Sequence, residues 1–300
     1  MLFRMTKSEL YRASRMKCTY IIPIIMVAIV MLLCFMYMRL DSEQLGLGES
    51  VFGTYIEDEE ERDEALKDDL TNIVTTDEEE VRSGSLIGEG IIYDWKVDNV
   101  YNIFTSAADI LLLLSIFVGI FIGMLHSTGT DKNMLIASGN RNVLFGARAI
   151  TIGLYSLMFE LLILLSTIVG IAIFGKSVSF DDPVRLIKYM VVSWIMVFTF
   201  SMLIMLIGNL VRSQAAAITI GIILAYGVLN MILMLVDILI RKIFGVDDFA
   251  LSEYTITGRI QSFRVFSSTG YITKSLIVCG VVLAIITAIQ VNINRKRDLC

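Results

Sequence analysis

The chain has 300 residues, of which 56% are hydrophobic, with a mean hydropathy of +0.73, only two prolines and a formal charge of −5. So apolar a composition argues against a soluble domain and for an all-α, polytopic membrane protein. Four cysteines, Cys18, Cys34, Cys279 and Cys300, without C-x-x-C spacing, and a single histidine argue against a zinc site or a disulfide framework. Buried free cysteines behave as small hydrophobes, which is the preferred reading here.

Residues 1–18 predict an amphipathic helix. At 100° per residue Arg4, Lys7, Ser8, Tyr11, Arg12 and Arg15 share one face, with Leu2, Met5, Ala13 and Met16 opposite, a pattern suited to the headgroup plane. Six apolar stretches then follow at 19–38, 105–125, 149–174, 189–210, 215–240 and 275–293, each close to the ~20 residues a helix needs to cross the hydrocarbon. The first is long for a signal peptide and is read as retained. An even number of spans puts both ends of the chain on one side, and the higher density of Lys and Arg in the short segments there favours the cytoplasm.

Between the first two spans, residues 39–104 change character. From Asp41 to Ile103 there are 19 acidic and four basic residues, a net of −15, with the densest run at Glu57, Asp58, Glu59, Glu60 and Glu61. Such runs stay solvated. Apolar residues including Ile91, Trp95, Val97, Val100 and Tyr101 are enough for a small folded ectodomain or for helices extending the first two spans. An acidic lobe outside the membrane attracts cations or cationic peptides.

The polar interruption 126–148 reads HSTGTDKNMLIASGNRNVLFGAR. Thr130 or Asp131 can cap a helix of about two turns, and Gly139 can end it. The intervening residues Lys132, Asn133, Met134 and Leu135 make a helix too short to stand alone, so it must pack on something. An ordinary connecting loop with a glycine turn is the alternative. In the spans on either side lie two acids, Asp109 near the outer end and Glu160 near the middle. An ionisable residue at the depth of Glu160 is a functional candidate by default, able to bond Ser115, Ser166, Thr167, Ser193 or Thr199, and equally a packing hydrogen bond. Acid/base chemistry shared between Asp109 and Glu160 is not expected, because they lie on different helices at different depths.

Further on come a short outer loop at 175–188 and a tight inner turn at 211–214, where Ser213, Gln214 and small residues allow close helix approach. Residues 241–274 mix aromatics, glycines and polar residues in a way that fits interfacial or half-inserted helices. A tail at 294–300 ends the chain. No G-x-x-x-x-G-K-[ST], H-E-x-x-H or G-x-S-x-G occurs, so no enzymatic activity is expected, nor any cofactor in this chain.

Gly129-Thr130, Lys132-Asn133, Gly139-x-Arg141 and Arg148 resemble the cytoplasmic loop of ABC-2 type permeases, the membrane subunits of ATP-driven exporters, including those of peptide and lantibiotic export and immunity. One departure is His126, where that family often has an acid. The resemblance implies that this loop is a coupling helix docking on a separate ABC ATPase, which would hold ATP and Mg. It likewise implies an elbow helix at 1–18, re-entrant outer helices before the last span, a second permease subunit and a bacterial plasma membrane with the termini cytoplasmic. Thr130, Asp131, Lys132, Asn133, Met134, Leu135, Gly139 and Arg141 are then the coupling residues, and Glu160 a transport-path candidate. No nucleic-acid partner is expected. Export of a cationic peptide is the leading function; a non-transporting sensor or assembly protein, with the acidic segment binding a ligand, is the alternative.

Overall fold

The computed structural model describes residues 1–39, 96–106, 108–127, 129, 134, 136, 140–174, 178–180, 182–211, 213–244, 254–265, 267 and 269–296. All regular structure among them is helical. The helices are α1 (Leu2–Arg15), α2 (Cys18–Arg39), α3 (Val97–Ser106), α4 (Ala108–Ser127), α5 (Arg141–Phe174), α6 (Pro183–Val211), α7 (Gln214–Ala225), α8 (Val228–Phe244), α9 (Ile256–Ser262) and α10 (Thr269–Lys296).

Four of these, α2, α5, α6 and α10, are long and apolar enough to cross a membrane singly. The expected second and fifth spans are not straight. Each is a bent pair, α3 with α4 at 47° and α7 with α8 at 51°, so the total reaches six when each pair counts as one span. The fifth breaks at Tyr226–Gly227, where Gly227 has φ +71, a left-handed conformation that a side chain disfavours. The Gln261 side chain of α9 lies 3.3 Å from where a Cβ on Gly227 would stand, and its amide donates to the Ala225 carbonyl (3.5 Å). A break at membrane depth is thus tolerated because protein, not lipid, meets the interrupted backbone.

Helix ends account for other differences from the apolar windows. Asp182 Oδ1 accepts from the amides of Val184 (3.0 Å) and Arg185 (3.2 Å) with Pro183 at the first helical position, so α6 starts at Pro183 and takes in the last six residues of the expected outer loop 175–188. Asn140 Oδ1 likewise accepts from the Asn142 amide (2.9 Å), and α5 begins at Arg141 rather than at 149. With 34 residues it is about 50 Å long, well beyond a ~30 Å hydrocarbon core. Hydropathy windows stop at charged residues, but a capped helix does not.

The core lies between α4, α5 and α6. α6 is the most enclosed span, with 61% of its apolar window buried against 17% for α10. α4 and α7 approach most closely, through small residues. A Cβ on Gly119 would stand 2.6 Å from Ile218, one on Gly123 2.3 Å from Gln214, and one on Gly221 2.9 Å from Ser115. Ser115, Gly119 and Gly123 are spaced by four on one face of α4, the arrangement that lets membrane helices pack backbone to backbone. Ser213 caps α7 by accepting from the Ala216 amide (3.4 Å).

α1 corrects one sequence expectation. Its buried stripe is Met5, Thr6, Glu9 and Ala13, while Leu2, expected on the covered face, is 42% exposed. Arg12, expected on the outward basic face, turns inward, because it finds Glu9 one turn back and the ring of Phe121 on α4, 4.6 Å away. The Thr19 hydroxyl donates to the Ala13 carbonyl and fixes the turn into α2.

Candidate functional site

At one end of the bundle α1 crosses the beginning of α5. Glu9 is fully buried and lies between two guanidinium groups. Its Oε2 accepts from Arg12 Nε at 2.9 Å and stands 2.6 Å from Arg12 Nη2; its Oε1 accepts from Arg148 Nε at 3.1 Å. Side-chain exposure is 20% for Arg12 and 8% for Arg148, so the triad is mostly withdrawn from water. A lone carboxylate at such a site would be costly; two arginines compensate it. Leu2 packs beside Gly146 in the same interface.

The polar segment before α5 lies mostly outside the described residues, including Thr130, Asp131, Lys132, Asn133, Leu135 and Gly139. Gly129 has φ +65, which suits a glycine turning the chain out of α4. Met134 and Ile136 are helical, Met134 half-buried and Ile136 82% exposed; Arg141 is half-buried as the first residue of α5. Ile136 offers a large apolar side chain on the surface beside the α5 cap.

Towards the other end of α5, Glu160 is enclosed between α3, α5 and α6. Its Oε2 accepts from the Tyr101 hydroxyl (2.7 Å) and its Oε1 from the Ser193 hydroxyl (2.8 Å). Of the five partners considered for it, Ser193 is one, whereas the hydroxyls of Ser115, Ser166 and Thr199 bond carbonyls of their own helices. Tyr101 packs edge-on to Tyr189, whose hydroxyl shares a 2.7 Å hydrogen bond with Thr105. Tyr189 in turn stacks on Phe263 beyond α9, at 4.7 Å between ring centroids. A wall of aromatic rings therefore leads from Glu160 to the short helix α9. There Arg259 is buried over the ring of Tyr271 (4.9 Å) and donates to Ser275 (3.4 Å).

Residues 40–95, with Glu57, Asp58, Glu59, Glu60 and Glu61, and the side chain of Asp109 lie outside the described residues. Residues 97–104 of the expected acidic segment lie in the helix α3, whose first amide donates to the Ser179 carbonyl (3.0 Å). Val97, Val100 and Tyr101 are buried there. Sequence reasoning missed Tyr101 as a partner of Glu160 and missed Glu9 altogether. Glu9 had a signal: it is the only acid in the first 40 residues, one turn before Arg12 and among the five cations of residues 1–17.

Long apolar helices, with two further candidate spans formed by bent helix pairs, mark an integral membrane protein. Residues 89–230 match the ABC-2 family transporter protein family, which supports reading the chain as an ABC-2 type permease, a membrane component of an ABC transporter. The matched stretch contains α3 to α7, the 126–148 segment and Glu160, while α1, α9 and α10 lie outside it. The family implies an ABC ATPase as partner. No curated protein matches the chain.

Proposed function

We propose that this permease is the membrane half of an exporter for a cationic peptide, in which a separate ABC ATPase docks on the 126–148 segment and drives two such permease subunits. What supports the coupling part is that residues 141–148 of that segment are the first turns of α5, the longest described helix, behind the Asn140 cap, and that Ile136 just before them is 82% exposed. A partner pushing there acts on one end of a helix whose interior carries Glu160. In this reading Thr130, Asp131, Lys132, Asn133, Met134, Leu135, Gly139 and Arg141 form the docking element, the chain ends face the cytoplasm of a bacterial cell, and α1 is the elbow in the headgroup plane. ATP and Mg belong to the ATPase.

The peptide assignment rests on charge. An outer segment of net −15 opposes its own compactness and is useful where something cationic has to be met. Glu160 is bonded on both oxygens, so as a path residue it would have to exchange Tyr101 or Ser193 for the passing group.

Coupling is tested by Met134→Glu together with Leu135→Glu in the full transporter. The double variant is expected to insert and melt as the wild type but to lose co-purification with the ATPase and ATP-dependent export. Wild-type export with normal ATPase capture would show that this segment is not the coupling element.

A further inference from the structure

Beside the buried triad a recess of about 510 Å³ opens between the α1–α2 turn and α4. Its lining combines the cations Arg12, Arg15 and Lys17 of the α1–α2 turn with the apolar Met16 and Cys18 and, from α4, Ile120 and Met124. We propose that this recess binds one anionic phospholipid, with the headgroup phosphate against Arg15 and Lys17 and the start of an acyl chain along Ile120 and Met124.

The recess stands at the depth where such a molecule presents both parts. Cys18 is the first residue of the apolar window of α2, and Met124 is next to the last of that of α4, which runs the opposite way, so both helices meet the same membrane boundary here. Glu9 is engaged by Arg12 and Arg148, and Arg15 and Lys17 add positive charge to the lining of the recess. Arg15 and Lys17 are exposed, and Arg15 lies over the Tyr11 ring (5.0 Å), which orients its guanidinium without neutralising it. Long basic side chains at such a boundary extend their charged ends to the headgroups while their stems stay on apolar surface. The apolar part of the lining distinguishes a lipid from soluble phosphate, since Met124 is 36% exposed and a phosphate ion would leave that part uncovered. The inference does not depend on the peptide or coupling assignments.

The test uses the full chain, purified in detergent, titrated with phosphatidylglycerol or phosphatidylcholine and read by native mass spectrometry. Phosphatidylglycerol is expected to bind at one per chain and to bind about 30-fold more weakly to Arg15→Gln/Lys17→Gln, as the usual worth of two interfacial cations gives. Met124→Trp, which fills the apolar part, is expected to weaken binding with both cations still present, and millimolar inorganic phosphate is expected not to displace the lipid. An unchanged melting midpoint in lipid-free detergent shows that the variants are folded. Equal binding of the two lipids overturns the proposal, as does retention of phosphatidylglycerol by the double variant. Displacement by inorganic phosphate with no effect of Met124→Trp would make the recess a soluble-anion site, against the proposal. Protection of Arg15 and Lys17 from chemical modification by added ATPase, but not by phosphatidylglycerol, would make it a partner contact and overturn it equally.

Discussion

Glu9→Gln is the substitution that the structure singles out as most disruptive for its size. It removes the carboxylate shared by Arg12 and Arg148 and leaves their guanidinium groups, 20% and 8% exposed, without that common anion. Breaking a buried pair in this way typically costs about 3–5 kcal/mol. Arg148→Met is different: Glu9 keeps both of its close approaches to Arg12, at 2.9 and 2.6 Å, and a methionine replaces the stem against α1, so a loss of only about 1–2 kcal/mol is expected. The double variant Glu9→Gln/Arg148→Met leaves only Arg12, which can reach the surface, and should recover part of the single Glu9→Gln loss. Because α1 can open without unfolding the rest, the assay is amide hydrogen exchange across α1 in the purified permease. An opening free energy lowered by about 3 kcal/mol speeds exchange roughly 150-fold in Glu9→Gln, against about 5- to 30-fold in Arg148→Met. Equal acceleration in the two single variants, or none in Glu9→Gln, would refute the view that this carboxylate holds α1 on α5.

Two other outcomes follow from the same kind of reasoning. Glu160→Gln keeps an acceptor for one of Tyr101 and Ser193 and preserves shape, whereas Glu160→Ala leaves both hydroxyls unsatisfied beside a cavity and should cost about 2–5 kcal/mol in a denaturation experiment; transport lost in Ala alone indicates packing, lost in both with normal expression a path carboxylate, and lost in neither rules out both roles. Deleting 57–80 should weaken export of cationic peptides in a salt-dependent manner, because contacts at such exposure are screened beyond about 10 Å at 0.1 M salt; unchanged handling at low salt, with the ATPase still bound, removes the support for a cationic substrate.

The helical class and the number of apolar stretches were legible in the sequence because hydropathy over twenty residues is a large, additive signal. The helix starts at Arg141 and Pro183 were legible in principle: Asp182-Pro183 is a cap followed by a first-turn proline, and Asn140 precedes a capped run. They were missed because apolar windows were used to set the ends. The break at Gly227 had a weaker local sign, a glycine inside an apolar run, whereas the bond that compensates it comes from Gln261, 34 residues later. Tyr101 and Glu160 are 59 positions apart and Glu9 and Arg148 139 apart, and no local rule joins them. The first pair depends on α3 folding back as a helix from what reads as the end of an acidic segment. The second depends on α5 projecting beyond the hydrocarbon far enough for α1 to cross it.

Two of the buried acids, Glu9 and Glu160, differ in sequence origin but serve one geometry. Each attaches a peripheral helix to α5: Glu9 brings α1 to Arg148, and Glu160 receives Tyr101 of α3. Twelve residues separate Arg148 from Glu160, about 18 Å along a continuous helix. The neighbouring second and fifth spans are broken, with a tyrosine hydroxyl at Glu160 holding the one and the Gln261 amide at Ala225 holding the other. Apolar packing alone would have fixed α1 and α3 at least as firmly, since a buried ion pair or a polar bond gives little net stability over a well-packed hydrophobic contact. What polar attachments add is direction and exchangeability, because a carboxylate can trade one donor for another without losing its partner count. In a permease driven from the Asn140 end of α5, the helices that change position are therefore expected to be those held by such bonds, α1 and α3, while α4, α6 and α7, joined through backbone-close glycines and enclosed apolar faces, keep their packing.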